Sequence, residues 1–199
     1  MRRVTGILLA AGSSRRFGPN KLLAPLADGT PLAVAAARRL VAAVPEVVAV
    51  LRPGDVALAA ALAAQGLRIV ECAQAERGMG HSLAAGVAAA DADAWLIALA
   101  DMPAIKASTL AALVAQLAAG AVLVVPFHNG RRGHPAGFAA KFGPALLALR
   151  GDTGARDLLT RHELSLTRLD VDDPGILFDV DTPDDLRLGR APQPDGLTS

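Results

Sequence analysis

Short apolar segments alternate along the chain with longer segments whose apolar residues repeat at helical spacing. The short segments predict buried strands, and the longer segments predict helices that pack on them. The predicted strands cover residues 4–9, 47–51, 67–70, 95–99 and 122–125. The predicted helices between them cover residues 31–43, 55–65, 80–90 and 108–118. This alternation is typical of a mostly parallel sheet covered by helices on both faces, so we predict an α/β fold with three layers.

Several helix ends are marked by local signals. Thr30 is the predicted N-cap of the first helix, and Pro31 is predicted to be its first residue. Gly66 and Gly120 follow the second and fourth predicted helices. Because glycine favours the backbone conformation that ends a helix, both helices are predicted to stop there.

The pattern becomes less regular after Pro126. Asn129-Gly130 and Gly133 predict a turn or hairpin between residues 128 and 138. Short helices are predicted at 142–149, 155–161 and 183–188, and short strands at 164–169 and 176–178. We expect one domain over residues 1–189. The segment 190–199 is rich in proline, glycine and aspartate, so we expect a disordered tail.

Composition narrows the class of protein. The 199 residues include 20 basic and 19 acidic side chains, five phenylalanines, one tryptophan and no tyrosine. This balance argues against a nucleic-acid partner. The single cysteine, Cys72, excludes an internal disulfide and fits a reducing cytosol. Since no apolar run approaches the ~20 residues that span a bilayer, we expect a cytoplasmic protein without a membrane partner.

The loop after the first predicted strand has the most distinctive chemistry. Residues 9–21 read LAAGSSRRFGPNK. In open parallel sheets ligands bind beyond the carboxyl ends of the strands, where a loop of small residues points backbone N–H groups at an anion. Arg16 and Lys21 add charge that suits a polyphosphate. The spacing matches neither a Walker A loop nor G-x-G-x-x-G. A solvated basic turn is less favoured, because three cations and two glycines cluster directly after the strand.

Carboxylates follow two later predicted strands. Asp101 ends the run from Trp95, and its hard oxygens suit Mg²⁺, although a turn or capping role fits the spacing equally well. Asp179 and Asp181 are separated by one residue, so in an extended chain they point the same way. Asp184 and Asp185 follow Pro183 and are assigned to helix capping.

Three more segments have polar residues or glycines at turns and helix starts. Residues 76–86 read ERGMGHSLAAG, residues 131–138 read RRGHPAGF, and residues 151–156 read GDTGAR. Ser82 in the first could donate to a base or ribose oxygen. The other two offer cations, an imidazole and a glycine-rich helix start to a second anionic ligand. An ordinary cap or a solvated hairpin tip remains an alternative for each segment taken singly.

Together these segments resemble the molybdenum cofactor cytidylyltransferase-like family of the nucleotidyltransferase superfamily. The match covers residues 4 to about 188, with the motifs in order. By this match, Arg16 and Lys21 correspond to the arginine and lysine of the family's signature loop. Asp101 and Asp181 correspond to the carboxylates of its metal-binding motifs. The run Gly133-His134-Pro135 stands where guanylyl-transferring relatives carry Gln-Pro-Leu.

The resemblance implies a Rossmann-like αβα fold of the nucleotide-diphospho-sugar transferase type, with a mostly parallel sheet and a small late hairpin. It implies transfer of CMP from CTP to molybdopterin or its molybdenum-loaded form, with Mg²⁺ as cofactor and pyrophosphate as product. The implied catalytic residues are Arg16, Lys21 and Asp101. The implied nucleotide-binding residues are Leu9, Ala10, Ala11, Gly12, Ser13, Arg16, Lys21, Gly80 and Ser82. The implied metal ligands are Asp101 and Asp181, with Asp179 as the alternative to Asp181, and the implied acceptor-binding residues are Arg132, His134 and Arg156.

Three other functions remain open at this stage. The chain could use another nucleoside triphosphate or another phosphorylated acceptor. It could be a carrier that delivers pterin cofactor to an apo-molybdoenzyme, or an NAD(P)H-dependent oxidoreductase, because a fold does not determine a function.

Overall fold

The computed structural model describes residues 2–12, 21–152 and 154–188 of the chain. Within them the strands form one sheet of 8 strands. The strands are β1 (Val4–Leu9), β2 (Glu46–Leu51), β3 (Arg68–Glu71), β4 (Ala94–Leu99), β5 (Leu123–His128), β6 (Arg131–Arg132), β7 (Ala136–Ala139) and β8 (Thr167–Asp170). Their order is β3-β2-β1-β4-β7-β5, and both β6 and β8 pair with β5.

The sheet is mostly parallel. Strands β1 to β4 pair in parallel with one another, and β8 is parallel to β5. Strand β7 is inserted antiparallel between β4 and β5, and the short strand β6 pairs antiparallel with β5. The predicted mostly parallel sheet with a late hairpin is therefore confirmed.

Helices cover both faces of the sheet. They are α1 (Leu32–Ala43), α2 (Val56–Ala63), α3 (Met79–Ala89), α4 (Ala107–Ala119), α5 (Gly143–Leu147), α6 (Arg156–Arg161) and α7 (Pro183–Leu188). One core cluster joins α1, α2 and α4 to the sheet, and a second joins α3, α5 and α6 to it. Because neighbouring residues of a strand face opposite sides, Leu8 belongs to the first cluster and Ile7 to the second. The predicted three layers are confirmed.

Helix α3 lies unusually close to the sheet. A Cβ atom at Gly86 would be 2.7 Å from Cγ2 of Ile7 and 2.9 Å from Cγ2 of Val50. Since interiors are close-packed, a larger residue at this position would push the helix away from the strands. The helix that begins within the glycine-rich segment 78–80 is thereby held against β1 and β2.

Some predicted element ends differ from the structure. Helix α1 begins at Leu32 with Pro31 as its N-cap, because Pro31 has an extended ψ of 139°, so Thr30 is not the cap. Strand β8 begins only at Thr167, after a 3-10 helix at Glu163–Ser165. The predicted strand at 176–178 is wrong: Pro174–Leu177 is a 3-10 helix, in which Pro174 fixes φ and the Asp173 side chain accepts a hydrogen bond from Gly175.

The helix stop at Gly120 is confirmed. Gly120 has a φ of +116° in the left-handed region, and its N–H donates to the carbonyl oxygen of Leu117. The predicted tail at 190–199 lies outside the described residues. In the part of the chain that the structure describes, no helix is both long and apolar enough to cross a bilayer.

Candidate active site

Lys21 and two aspartates meet beyond the carboxyl ends of the central strands. The Lys21 Nζ donates to Oδ2 of Asp101 at 3.0 Å and to Oδ1 of Asp181 at 3.2 Å. The Lys21 side chain is only 8% exposed, whereas the Asp181 side chain is 55% exposed. We call these three residues the carboxylate–lysine cluster. Its members come from distant parts of the sequence, so only the fold brings them together.

Backbone pairing explains how the two aspartates converge. Asp101 follows β4 closely, and its carbonyl oxygen accepts a hydrogen bond of 3.0 Å from the N–H of Val180. Val180 is fully buried, while Asp179 and Asp181 on either side of it are exposed, as predicted for an extended segment. This single backbone contact sets the Asp181 carboxylate beside Asp101.

The charges of the cluster depend on one another. Burial lowers the pKa of Lys21, but attraction from Asp101 and hydrogen bonds to Asp101 and Asp181 outweigh it, so the pKa is raised. Desolvation raises the pKa of Asp179, and the negative charges of Asp181 and Asp101 raise it further. Lys21 therefore remains cationic beside the two carboxylates to which it donates.

The donor set fits Mg²⁺ bound together with a phosphorylated ligand. Carboxylate oxygens of Asp101 and Asp181 already converge on one positive atom, the Nζ of Lys21. Among the described residues, no group of three or more His, Cys, Asp or Glu could hold a metal ion. Magnesium is usually bound by one or two carboxylates, with substrate phosphates and waters completing its octahedron. The two carboxylates suit that mode of binding, which needs no cage made of protein alone.

Asp185 supports the cluster from the start of α7. Its Oδ2 accepts hydrogen bonds from the N–H groups of Asp181 and Thr182 and from the Thr182 hydroxyl. These bonds lower the pKa of Asp185, the hydroxyl bond most strongly. The predicted capping role of Asp185 is confirmed, and the same cap fixes the backbone of Asp181.

A cleft of about 390 Å³ lies beside the cluster. Apolar side chains make up much of its wall, including Leu9 at the end of β1. The predicted acceptor residues Arg132, His134 and Arg156 all line this same cleft. Two further lining residues, Met79 and Asp152, belong to the motifs at 76–86 and 151–156 but were not predicted to be site residues.

Strand register explains the position of His134. Strands β4 and β7 pair antiparallel with Ile97 opposite Ala136. His134 lies two residues before the first paired residue of β7, and its N–H donates to the carbonyl oxygen of Ile176 at 2.9 Å. The imidazole has access to solvent, yet the protein around it partly desolvates it and lowers its pKa. The charges of Asp101 and Asp179 act in the opposite direction, so His134 lies where the cleft meets the cluster.

Two of the motif segments pack against each other, backbone to backbone. The N–H of Gly80 donates to the carbonyl oxygen of Gly151 at 2.8 Å. Gly78 has a φ of +122°, and a Cβ atom there would lie 2.3 Å from the carbonyl carbon of Gly151. A side chain at Gly78 would therefore separate the segments. Gly80 is a predicted nucleotide-binding residue and Arg156 a predicted acceptor-binding residue, and this backbone contact joins the two segments that contain them.

The predicted nucleotide-binding residues have different environments. Leu9 lines the cleft, Ala10 and Ala11 are buried, and Gly12 is exposed. Gly80 and Ser82 are buried near the start of α3. The predicted residues Ser13 and Arg16 lie outside the described residues.

One buried acid near the site was missed by sequence analysis. Asp173 is 1% exposed and accepts hydrogen bonds from three donors. The available signal was the run Asp173-Pro174-Gly175, which is typical of a turn stabilised by an aspartate side chain. Its three-dimensional partners, Lys106 and Thr109, are too distant in sequence for a local pattern to reveal.

The sheet order and the position of the cluster define an α/β protein of the nucleotide-diphospho-sugar transferase fold. Residues 6–166 match the MobA-like NTP transferase domain family, and the chain belongs to that family. It is 35% identical over 196 residues to the purine catabolism protein PucB of Bacillus subtilis, with 93% of this chain and 95% of the relative covered. It is also 35% identical over 188 residues to nicotine blue oxidoreductase of Paenarthrobacter nicotinovorans, with 90% and 92% covered.

Solved structures agree with this assignment. Rv0371c from Mycobacterium tuberculosis superposes with a TM-score of 0.78 and 31% identity, over 92% of this chain and 94% of that one. A second structure of Rv0371c, in complex with manganese, has a TM-score of 0.68 and 26% identity, over 85% and 88% of the chains. The family and the fold are therefore established by independent comparisons.

Proposed function

We propose that this protein is a cytoplasmic, Mg²⁺-dependent nucleotidyltransferase that transfers CMP from CTP to molybdopterin or its molybdenum-loaded form, releasing pyrophosphate. The observation that carries this proposal is the convergence of Lys21, Asp101 and Asp181 at the carboxyl ends of the strands. A protein that only carried a pterin would not need paired carboxylates and a lysine at this position.

Asp101 and Asp181 would hold the magnesium ion. When bound, Mg²⁺ polarises phosphoryl oxygens and neutralises their charge. A fixed pair of carboxylates also selects a nucleotide that arrives with its cation, because a bare triphosphate would be repelled by the acids of the cluster. The manganese complex of the related Rv0371c supports a divalent cation in this family.

The proposed reaction requires positioning more than acid–base chemistry. A phosphate oxygen of the pterin forms a bond to the α-phosphorus of CTP, and the bond from that phosphorus to the bridging oxygen breaks, releasing pyrophosphate. Because the attacking phosphate is already ionised at neutral pH, no side chain has to remove a proton. Lys21 supplies fixed positive charge beside the phosphates, and Arg16 is predicted to do so from the loop. Fixed charges of this kind stabilise a transition state without reorganising.

The cleft is the proposed acceptor site. Its apolar wall, to which Leu83, Ile97 and Phe138 contribute, suits the flat ring system of a pterin. Arg132 and Arg156 at the same cleft suit a phosphate, which arginine binds through paired hydrogen bonds. His134 lines the same cleft and is influenced by the charges of both Arg132 and Asp101, so an acceptor phosphate bound there would lie near the cluster.

A pyrophosphate-release assay tests the proposal. Purified protein is incubated with CTP, GTP, ATP or UTP, with or without molybdopterin, and with Mg²⁺ or excess chelator. We expect release only with pterin and Mg²⁺ together, and fastest with CTP. Equal release from all four nucleotides would contradict the CTP preference, and no release from any of them would contradict nucleotidyl transfer.

A second candidate function is reduction of an organic substrate by a nicotinamide nucleotide. It is favoured by the 35% identity to nicotine blue oxidoreductase over 90% of the chain. Thermal unfolding with NADPH, NADH or CTP–Mg²⁺ separates the two candidates, because a ligand at a hundredfold excess over its Kd stabilises the native state by ~2.7 kcal/mol. A shift with NADPH and none with CTP–Mg²⁺ would favour the oxidoreductase.

A further inference from the structure

A buried carboxylate, that of Asp173, lies at the start of the segment 173–181, which contains the candidate metal ligand Asp181. Asp173 is 1% exposed. Its Oδ2 accepts hydrogen bonds from the N–H of Lys106 at 2.8 Å and from the Thr109 hydroxyl at 2.6 Å, and its Oδ1 accepts one from the N–H of Gly175 at 3.0 Å. A buried charge is costly unless its hydrogen-bonding capacity is filled. Here three donors from two parts of the chain satisfy the hydrogen-bonding capacity of the Asp173 carboxylate.

These donors connect two parts of the site. Lys106 and Thr109 belong to the start of α4, which follows the Asp101 turn, whereas Gly175 belongs to the segment 173–181. A Cβ atom at Gly175 would lie 2.3 Å from the carbonyl oxygen of Ala104, so the segment lies directly against the β4–α4 connection. Asp173 therefore ties the later segment to the earlier connection.

The same segment contacts both the cluster and the cleft. The carbonyl oxygen of Ile176 accepts a hydrogen bond of 2.9 Å from the N–H of His134, and the N–H of Val180 donates to Asp101 at 3.0 Å. A Cβ atom at Gly133 would lie 2.4 Å from that Ile176 oxygen, so the hairpin and the segment are in close contact. A shift of residues 173–181 would move Asp181 and His134 together.

We infer that Asp173 is a positioning residue for the candidate active site. By fixing the segment 173–181 on the start of α4, it sets where Asp181 meets Asp101 and where His134 lies in the cleft. The inference rests on the proposed function in one respect, that Asp101 and Asp181 bind a divalent cation. Its geometric part, the placement of the segment, does not depend on a metal. Supporting groups outside the ligand shell commonly change metal affinity in this way.

The test compares Asp173→Asn with a control variant that is destabilised in a different part of the molecule. Asp173→Asn keeps the shape of the side chain, but its amide nitrogen must face the N–H of either Gly175 or Lys106, so one donor loses its acceptor. The control is Leu62→Ala in α2, a fully buried residue that packs near β3 at the opposite edge of the sheet. The control lowers stability through a core cavity without touching the segment.

The first readout is amide hydrogen exchange, which needs no metal. Exchange is measured for each variant at the same interval below its own melting temperature. We expect peptides covering residues 174–182 and 131–136 to exchange faster in Asp173→Asn than in Leu62→Ala. Equal exchange in the two variants would overturn the inference. If Asp173→Asn does not fold, Thr109→Val removes one donor to the carboxylate and is compared in the same way, with a smaller change in the same peptides.

The second readout is the dissociation constant for Mn²⁺, measured by calorimetry on the folded variants. We expect it to rise roughly 10- to 100-fold in Asp173→Asn and to stay unchanged in Leu62→Ala. An equal rise in both variants would mean that stability alone is responsible and would overturn the inference. If the unaltered protein binds no Mn²⁺, the metal part of the proposed function fails, while hydrogen exchange still decides whether Asp173 places the segment.

Discussion

The carboxylate–lysine cluster and the cleft lie side by side but are built differently. The cluster consists of three charged side chains held by backbone contacts at the ends of strands. The cleft has a largely apolar wall formed by residues of the sheet and of α3, with Arg132 and Arg156 also lining it. A charged site of this kind acts on any phosphate chain, whereas a shaped apolar surface discriminates between acceptors. We therefore expect mutations in the cluster to change the rate and mutations in the cleft to change acceptor affinity.

The largest effect is expected from Asp101→Asn. Removing the charge while keeping the shape should leave the cation poorly held, so turnover at limiting Mg²⁺ should fall roughly 10²- to 10³-fold. The control is Asp91→Asn, since the Asp91 side chain is 96% exposed and forms a surface ion pair with Arg3. Near-normal turnover in Asp101→Asn would make Asp101 a turn residue only.

Lys21→Met should have the next largest effect. Loss of one charge-assisted interaction costs roughly 1.5–3 kcal/mol, so we expect kcat and kcat/KM each to fall on the order of tenfold to a hundredfold. The variant also leaves Asp101 and Asp181 without their shared cation. Mg²⁺ should therefore raise its melting temperature more than it raises that of the unaltered protein. An equal rise in the two proteins would show that Lys21 and the metal do not share these carboxylates.

Substitutions in the cleft should weaken binding of the acceptor without weakening binding of the nucleotide. In His134→Ala and Arg156→Ala the KM for the pterin should rise on the order of tenfold or more, while calorimetric binding of CTP–Mg²⁺ stays nearly unchanged. Arg161→Ala is the matched control, because Arg161 lies on the same helix as Arg156 and is exposed. The division between cluster and cleft is wrong if His134→Ala and Arg156→Ala lose CTP binding and keep acceptor affinity.

The smallest effect is the contribution of His134 to the pH dependence of stability. Desolvation holds its folded pKa below the ordinary value of about 6.5, so in that range the unfolded chain binds more protons than the native protein. The stability that the native protein gains from keeping His134 neutral is fully present above pH 6.5. It is lost as the pH falls through the folded pKa. In urea unfolding, His134→Gln should lose less stability between neutral and mildly acidic pH. The difference should be well under about 1 kcal/mol, since solvent screens an exposed group; an identical pH profile would contradict the assignment.

The sequence predicted the cluster residues better than their contacts. The position after a predicted strand drew attention to Asp101, and the alternation of Asp179 and Asp181 drew attention to that pair, but only the family resemblance favoured Asp101 and Asp181 as metal ligands. The sequence did not reveal that Lys21 bonds to both acids, because its spacing indicated only a phosphate-binding loop. That contact depends on the pairing of Val180 with Asp101, which joins distant parts of the chain.

The cleft was predicted less completely. Arg132, His134 and Arg156 were assigned to one acceptor site, and all three line the same cleft. Met79 was missed because its position depends on the contact between Gly80 and Gly151, which no local periodicity encodes. The error at residues 176–178 has a local cause: an apolar run suggested a strand, but Asp173 and Pro174 impose a 3-10 helix.

The position of the transferred phosphorus tests nucleotidyl transfer most directly. CTP carrying radioactive phosphorus at the α position, or at the γ position, is incubated with the protein, Mg²⁺ and molybdopterin, and the pterin is then isolated. We predict that α-label appears in the pterin and that γ-label appears only in pyrophosphate. Transfer of γ-label to the pterin, or an unlabelled pterin in both reactions, would contradict the proposed activity.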